Sequence, residues 1–290
     1  MHIDCNFSME NARFTRLKDW LDYRMLRGKY SFSKKDILDL SLPVSGQSVE
    51  NNLTRLADKG NIMSPWRNFY VIVPVEYRLN GIVPPSFYID ALMSHLGRRY
   101  YVALLSAAAL NGASHQKPMV YQIMVSGGQL RSGVKNGTRL EFFLRNDLPE
   151  EYTVKMKTQS GYINVSGPEL TGLDLVAREE NVSGLGRVAE ILTELAETMR
   201  WDESRARLLD YFNVPDIQRL GFLLEKIGEG SLADDLYGLM EQSGKAMRKV
   251  GLKRTLGTDD DMPVNRRWKI IENYEIDFDE READKYRKNT

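Results

Sequence analysis

The sequence holds one cysteine, Cys5, among 290 residues. A single thiol can close no internal disulfide and build no cysteine-ligated zinc cluster, so a reducing compartment, the cytoplasm, is expected. No apolar run approaches the roughly 20 residues that cross a bilayer. The opening residues Met1-His2-Ile3-Asp4-Cys5-Asn6 lack the basic and then apolar blocks of a secretion signal, so no membrane partner is expected.

Catalytic signatures are missing as well. There is no Gly-rich phosphate loop, no histidine-paired zinc helix and no nucleophile elbow. Of the 3 histidines, His115 alone stands in a suggestive place, and without an acidic neighbour in sequence it reads as a capping or core residue. A metal-dependent nuclease of the restriction type needs an acid on one strand and a Glu-x-Lys pair on the next. Glu141, Asp147, Glu151 and Lys155 occupy a suitable region without that spacing. No enzyme activity, metal or cofactor is expected.

What the chain does have is length enough for two folding units and a 42% hydrophobic content that can fill two cores. Its 40 Lys+Arg balance its 40 Asp+Glu, but unevenly along the sequence. Residues 1–80 carry 12 cations against 9 acids, residues 81–163 carry 9 against 5, and the remainder carries 19 against 26. Phosphate binding needs local positive charge and not a positive total. Uneven solvated charge explains the same numbers, so charge by itself decides nothing.

The first 80 residues are more specific. Phe14, Leu17, Leu21 and Met25 recur at helical spacing over 9–26, and Gly28 follows as a helix-ending glycine. Ser33 with Asp36 three residues on forms a capping-box pattern for a short helix over 33–40. Pro43 interrupts it, and Ser45 can cap a third helix over 46–59 that ends at Gly60. On that helix Val49, Leu53, Leu56 and Ala57 form the inward edge. Ser48, Asn51, Asn52, Arg55 and Lys59 form a separate polar stripe, away from Glu50 and Asp58. Amides and arginine suit base edges and lysine suits phosphate, whereas an ordinary solvated face has the same look in isolation. Asn61-Ile62-Met63, a turn at Ser64-Pro65-Trp66-Arg67-Asn68, and Phe69-Tyr70-Val71-Ile72-Val73 then read as strand, turn and strand. Three helices and a hairpin predict a winged helix-turn-helix. Its expected DNA contacts are Lys34, Lys35, Gln47, Ser48, Asn51, Asn52, Arg55, Lys59, Arg67 and Asn68.

Gly81-Ile82-Val83-Pro84-Pro85 reads as a linker, which divides the chain into a DNA-binding domain over 1–80 and a larger α/β domain over 81–290. In the second domain, helices are expected over 86–96 and 100–110. Strands are expected at Val120-Tyr121-Gln122-Ile123-Met124-Val125, Thr138-Arg139-Leu140-Glu141-Phe142-Phe143-Leu144 and Tyr152-Thr153-Val154-Lys155-Met156-Lys157. A helical layer follows over 188–199, 201–212 and 216–227. The fold class is therefore α+β: a winged helix followed by a small mixed sheet with helices. Residues 279–290 read as a frayed or disordered tail.

Within this second domain, Tyr100-Tyr101-Val102-Ala103-Leu104-Leu105-Ser106-Ala107-Ala108-Ala109-Leu110-Asn111-Gly112-Ala113-Ser114-His115-Gln116-Lys117-Pro118 resembles the opening of the AbiEi antitoxin C-terminal domain. Val165-Ser166-Gly167-Pro168-Glu169-Leu170-Thr171-Gly172-Leu173-Asp174-Leu175-Val176 is similar to that family's Pro-Glu-then-apolar helix start. Gly184-Leu185-Gly186-Arg187-Val188-Ala189 resembles its glycine-containing turn. The resemblance spans residues 30–225. It implies an antitoxin of a type IV toxin–antitoxin system that represses its own operon through the winged helix, on operator DNA expected to be an inverted repeat. It also implies a nucleotidyltransferase-like toxin, counteracted without a stable complex. The N-terminal helix is longer than the family's minimal winged helix, and the segment after Gly230 aligns with no motif.

Two further basic sets stand outside the first 80 residues. Arg131, Lys135, Arg139, Lys155 and Lys157 offer a basic sheet face, or scattered solubilising charge. Lys245, Arg248, Lys249, Lys253 and Arg254 form the densest cluster, read as a solvated helix end or as a second nucleic-acid contact. The alternative to the antitoxin reading is a winged-helix regulator whose α/β domain binds a small molecule or is a degenerate nuclease.

Overall fold

The structure, a computed structural model, describes residues 14–40, 46–113 and 119–276. Cys5, Pro43, Ser45, His115 and the tail at 279–290 lie outside the described residues. Two compact units divide the chain. The first comprises Met1–Tyr100, Met119–Asn146 and Lys155–Asn164, and the second Tyr101–Pro118, Asp147–Val154 and Val165–Thr290.

The first unit begins with α1 (Leu17–Leu26), β1 (Ser31–Ser33), α2 (Lys34–Leu38), α3 (Gly46–Asp58), β2 (Ile62–Trp66) and β3 (Phe69–Ile72). Ser33 caps α2 as its spacing predicts: its Oγ accepts from the Asp36 N–H at 3.1 Å, and the Asp36 carboxylate accepts from the Ser33 N–H at 2.7 Å. Two orphan donors of the helix start are thereby satisfied. The three strands pair in the order β1-β3-β2, with Phe32 opposite Tyr70 and Met63 opposite Val71. Strand β1 escapes the sequence reading because three residues show no alternation. Its pairing with β3 is made by the fold. Pro65, which has no N–H to give a ladder, falls where the β2–β3 register shifts between Met63 and Trp66.

Trp20, Leu21, Phe32, Ile37, Val49, Leu53, Ile62 and Ile72 bury one another as the core of these elements. Ala57, expected on the inward edge of α3, is exposed. It lies at the margin of the apolar arc in the last turn. Gly60 at φ +65° then ends the helix, and the Asn61 N–H turns back to the Leu56 carbonyl at 2.9 Å. Helix α4 (Ile89–His95) follows a 3-10 turn at Pro85–Phe87, a shorter helix than 86–96 suggests because Pro84 and Pro85 delay its start.

A mixed six-stranded sheet is built from β4 (Tyr100–Val102), β5 (Val120–Val125), β6 (Gly133–Lys135), β7 (Thr138–Leu144), β8 (Thr153–Thr158) and β9 (Gly161–Ser166), in the order β6-β7-β5-β4-β9-β8. β5 and β7 run parallel, from Val120 opposite Arg139 to Val125 opposite Leu144, and β6 is antiparallel to β7. The expected helix over 100–110 is corrected here. Tyr100–Val102 is a buried strand, and only Leu104–Leu110 is helical, as α5. An apolar stretch buried on every side looks alike as central strand or core helix. At the junction Leu104 adopts φ +53° with its side chain fully buried. A branched residue in the left-handed region costs about 1–3 kcal/mol, held in place by the packing around it.

The second unit is mostly helical: α5, α6 (Pro168–Ala177), α7 (Leu185–Leu195), a 3-10 segment at Glu203–Tyr211, α8 (Val214–Lys226) and α9 (Gly230–Gln242). Pro168 sits in the first turn of α6, where its missing N–H costs nothing. Almost every α6 residue is buried, and Gly172 admits Met199, Leu192 and Leu220 within 4 Å of where a Cβ would stand. The helix expected over 201–212 is wound as a 3-10 segment. The helix end expected around 245–254 is not helical: α9 stops at Gln242, Gly244 turns the chain at φ +64°, and β10 (Val250–Gly251), β12 (Ile270–Ile271) and β11 (Val264–Asn265) make a small sheet in that order.

Candidate nucleic-acid interface

Helix α3 presents Gln47, Asn51 and Arg55 to solvent on successive turns, with Ser48 and Asn52 half-buried beside them, and Lys59 is exposed in the turn that follows. Its inward residues Val49 and Leu53 are held in the core, which fixes the rotation of the helix and hence the outward stripe. The stripe is ordered from within. Gln47 Nε2 donates to Asn51 Oδ1 at 3.3 Å, and Arg55 Nη2 donates to Asn52 Oδ1 at 3.2 Å.

Of the two α2 lysines, Lys35 is exposed, whereas Lys34 is paired with Glu50 of α3. The hydrogen bond and charge of Glu50 raise Lys34 above the ordinary lysine range, and the same contact lowers the Glu50 carboxyl. One predicted phosphate contact is therefore already neutralised by an acid on the helix next to it.

At the β2–β3 turn, Arg67 and Asn68 are exposed, and Asn68 takes φ +59°, a conformation that asparagine tolerates. Trp66 faces another way. Its ring meets Phe142 of β7 edge-on, with centroids 5.9 Å apart and planes at 86°, and the Lys135 ammonium lies 5.3 Å from its centroid. Only two of the three tip residues are left to meet a ligand.

Beside the stripe, a cleft of about 410 Å³ opens between the start of α1 and α3. Thr15, Arg16, Leu17, Lys18, Val49, Asn52, Arg55 and Leu56 line it. The sequence reading missed Arg16 and Lys18. Both are polar positions flanking a core leucine, and nothing in the local pattern says that this end of α1 stands against α3.

The structure does not gather the first extra basic set. Arg131, Lys135 and Arg139 belong to the β6–β7 side of the sheet, and Lys155 and Lys157 to β8 at the opposite edge. Strand spacing puts those edges roughly 24 Å apart. Lys135 is engaged with Trp66, and Arg139 bonds Glu141 at 3.0 Å. Arg131, Lys155 and Lys157 are exposed.

In the second basic set three of five cations are bound to acids: Lys245 to Asp210 at 2.9 Å, Lys253 to Glu179 at 2.6 Å and Arg254 to Asp216 at 2.6 Å. Arg248 and Lys249 are exposed. Asp216 also accepts from Arg219 at 3.1 Å, and Arg219 donates to the Gly251 and Leu252 carbonyls. Burial, with the neighbouring Arg254 cation, pulls Arg219 below the ordinary arginine range, and Asp216 opposes that pull. This network clasps the C-terminal strands onto α8. Trp268 completes it by seating its indole on Gly221, where a Cβ would stand 2.1 Å from the ring.

Glu141 and Glu151, two of the acids in the nuclease alternative, have separate partners. Glu141 binds Arg139 and Gln122, and Glu151 accepts from the Tyr211 hydroxyl at 3.0 Å. Among the described residues no group of three or more His, Cys, Asp or Glu side chains is placed to hold a metal ion.

The strand–helix junction at β4–α5 and the proline-started helix α6 are the elements that carry the sequence resemblance. Residues 101–226 match the AbiEi antitoxin C-terminal domain. The chain thus carries a segment similar to a domain of antitoxins from toxin–antitoxin systems. The AbiEi segment runs from β4 to the end of α8, so Glu169, Asp174, Glu179, Asp216 and Arg219 fall inside it. Lys253, the partner of Glu179, and Arg254, the partner of Asp216, fall beyond it. The fold is similar to that of the RV2827C protein from Mycobacterium tuberculosis, with a TM-score of 0.60 over 89% of this chain and 92% of that one at 14% identity. No curated protein matches the sequence. Among the described residues, no helix is long and apolar enough to cross a membrane.

Proposed function

We propose that this chain is a DNA-binding autorepressor and antitoxin of a type IV toxin–antitoxin system. In this reading α1–α3 and the β2–β3 hairpin are a winged helix-turn-helix, with α3 as recognition helix and the hairpin as wing. The larger AbiEi-like part counteracts a nucleotidyltransferase-like toxin in the cytoplasm, without catalysis of its own. This reading takes the DNA-binding part to end near residue 80, a point inside the first compact unit. The observation that carries the reading is the exposed run of Gln47, Asn51 and Arg55 along α3 with Lys59 just past its end, the donor and acceptor set that reads adenine and guanine edges and grips phosphate. The AbiEi match supports the antitoxin half.

The test uses the full-length protein. Repression of a reporter driven by the DNA upstream of its own gene, and rescue from the toxin encoded beside it, are measured in one strain. Asn51→Ala with Arg55→Ala is expected to relieve repression while rescue persists. Loss of both outputs in a folded double variant would tie antitoxicity to DNA binding and overturn the division of labour.

A further inference from the structure

The cleft beside α3 is not absorbed by base reading. Three cations, Arg16, Lys18 and Arg55, line it with Asn52, and no carboxylate is among its described lining residues. Its apolar surface comes from Leu17 and Val49, both buried, and Leu56, half-buried. Arg55 is tethered to Asn52 at 3.2 Å, so the cation shared by the stripe and the cleft has a defined position. Arg16, the residue that precedes α1, and Lys18 in its first turn are exposed, and Leu17 between them is anchored in the core, which fixes where they stand.

We propose that this cleft holds a phosphodiester of the DNA backbone, flanking the bases that α3 reads. The inference rests on the DNA-reading role given to α3. Cations answer the phosphate oxygens, and the apolar floor answers the face of a deoxyribose, a combination that a bare inorganic ion would not use. About 410 Å³ is more than one phosphate fills and accommodates its attached sugar. Because Asn52 and Arg55 line the cleft as well as the stripe, the sugar-phosphate held there is continuous with the recognition site. Arg16 and Lys18 become backbone contacts that fix register and add affinity without adding sequence preference.

The experiment measures binding of full-length protein to its upstream DNA and to an unrelated duplex at several salt concentrations. It compares wild type, Arg16→Ala with Lys18→Ala, the same pair reversed to Glu, and Asn51→Ala. Each lost phosphate contact makes the log–log salt slope shallower by about 0.9. The alanine pair, which loses the one phosphate contact of the cleft, is therefore expected to flatten the slope by about one. Between 50 and 200 mM salt its affinity should fall roughly threefold less than that of wild type. Preference for the cognate duplex should be unchanged, and the glutamate pair should bind both duplexes more weakly still. An unchanged slope in a folded alanine pair, with Asn51→Ala still weakening cognate binding, would overturn the cleft contact and leave the α3 reading standing. Wild type that binds neither duplex would overturn both. A slope left unchanged while the alanine pair loses wild-type binding of adenosine 5′-monophosphate, followed by calorimetry, would reassign the cleft to a free phosphorylated molecule.

Discussion

Trp66 at the end of β2 stands edge-on to Phe142 of β7, 5.9 Å between centroids, with the Lys135 ammonium 5.3 Å from the indole centroid. The β2–β3 hairpin is therefore fastened at its tip to the β6–β7 hairpin. Edge-to-face pairs contribute about 0.5–1.5 kcal/mol beyond their buried area, and an exposed cation–π contact somewhat less. Trp66→Ala is expected to destabilise the protein by about 1–3 kcal/mol in a urea titration. Arg67→Ala, one residue on and exposed, should leave that midpoint within error and flatten the salt dependence of DNA binding by about one unit. If the two variants exchanged these effects, the roles assigned to the tip would be wrong.

The proposed base reading by α3 makes a separate demand. Arg55→Ala and Asn52→Ala are each expected to weaken binding to the cognate duplex by about 1–3 kcal/mol. Arg55 and Asn52 are hydrogen-bonded to each other, so their effects should not add. A gel-shift titration of both singles and the double completes the cycle. Unchanged affinity in folded single variants would move the DNA contact away from α3.

On the proposed DNA-binding surface Lys34 is paired with Glu50. Glu50→Gln is expected to release Lys34 for a phosphate, tightening binding on all sequences and steepening the salt slope by about one unit. The Glu50 carboxyl is lowered by Lys34, so the pair's contribution to folding is present above the unfolded carboxyl value and is lost as pH falls through the folded one. Lys34 is raised and stays cationic throughout that acid range. Wild-type DNA affinity should accordingly approach that of Glu50→Gln as the pH drops. An affinity gap that persists under acid would locate the effect elsewhere.

In the helical unit the tightest steric constraint is Gly221 under Trp268, where an added Cβ would meet the indole at 2.1 Å. A rigid, fully buried ring cannot yield locally. Gly221→Ala is expected to cost about 1–3 kcal/mol or more, because the C-terminal strands must shift off α8. Thermal unfolding followed by tryptophan fluorescence would measure it. A variant as stable as the wild type would show that the C-terminal segment is not clasped as described.

Local chemistry made several elements legible without coordinates. Ser33 with Asp36 announces a helix start, Gly60 announces a stop, and alternating residues over 120–125 and 138–144 announce strands, because each signal is complete within one turn or one strand. Signals shared between two structures failed: the apolar stretch at 100–110 satisfies a buried strand and a buried helix equally, and β1, at three residues, is too short to carry any periodicity. The polar stripe of α3 was readable because helical geometry alone puts Asn51, Arg55 and Lys59 on neighbouring turns. Tertiary structure alone decided what each charge has for company. It set Glu50 against Lys34, split Arg131, Lys135 and Arg139 from Lys155 and Lys157 across the sheet, bound Lys253 and Arg254 to buried acids, and brought Arg16 and Lys18 to the flank of α3. Sequence fixes the charge of a side chain and its place on its own element, whereas its nearest opposite charge lies on another element and depends on how the two pack.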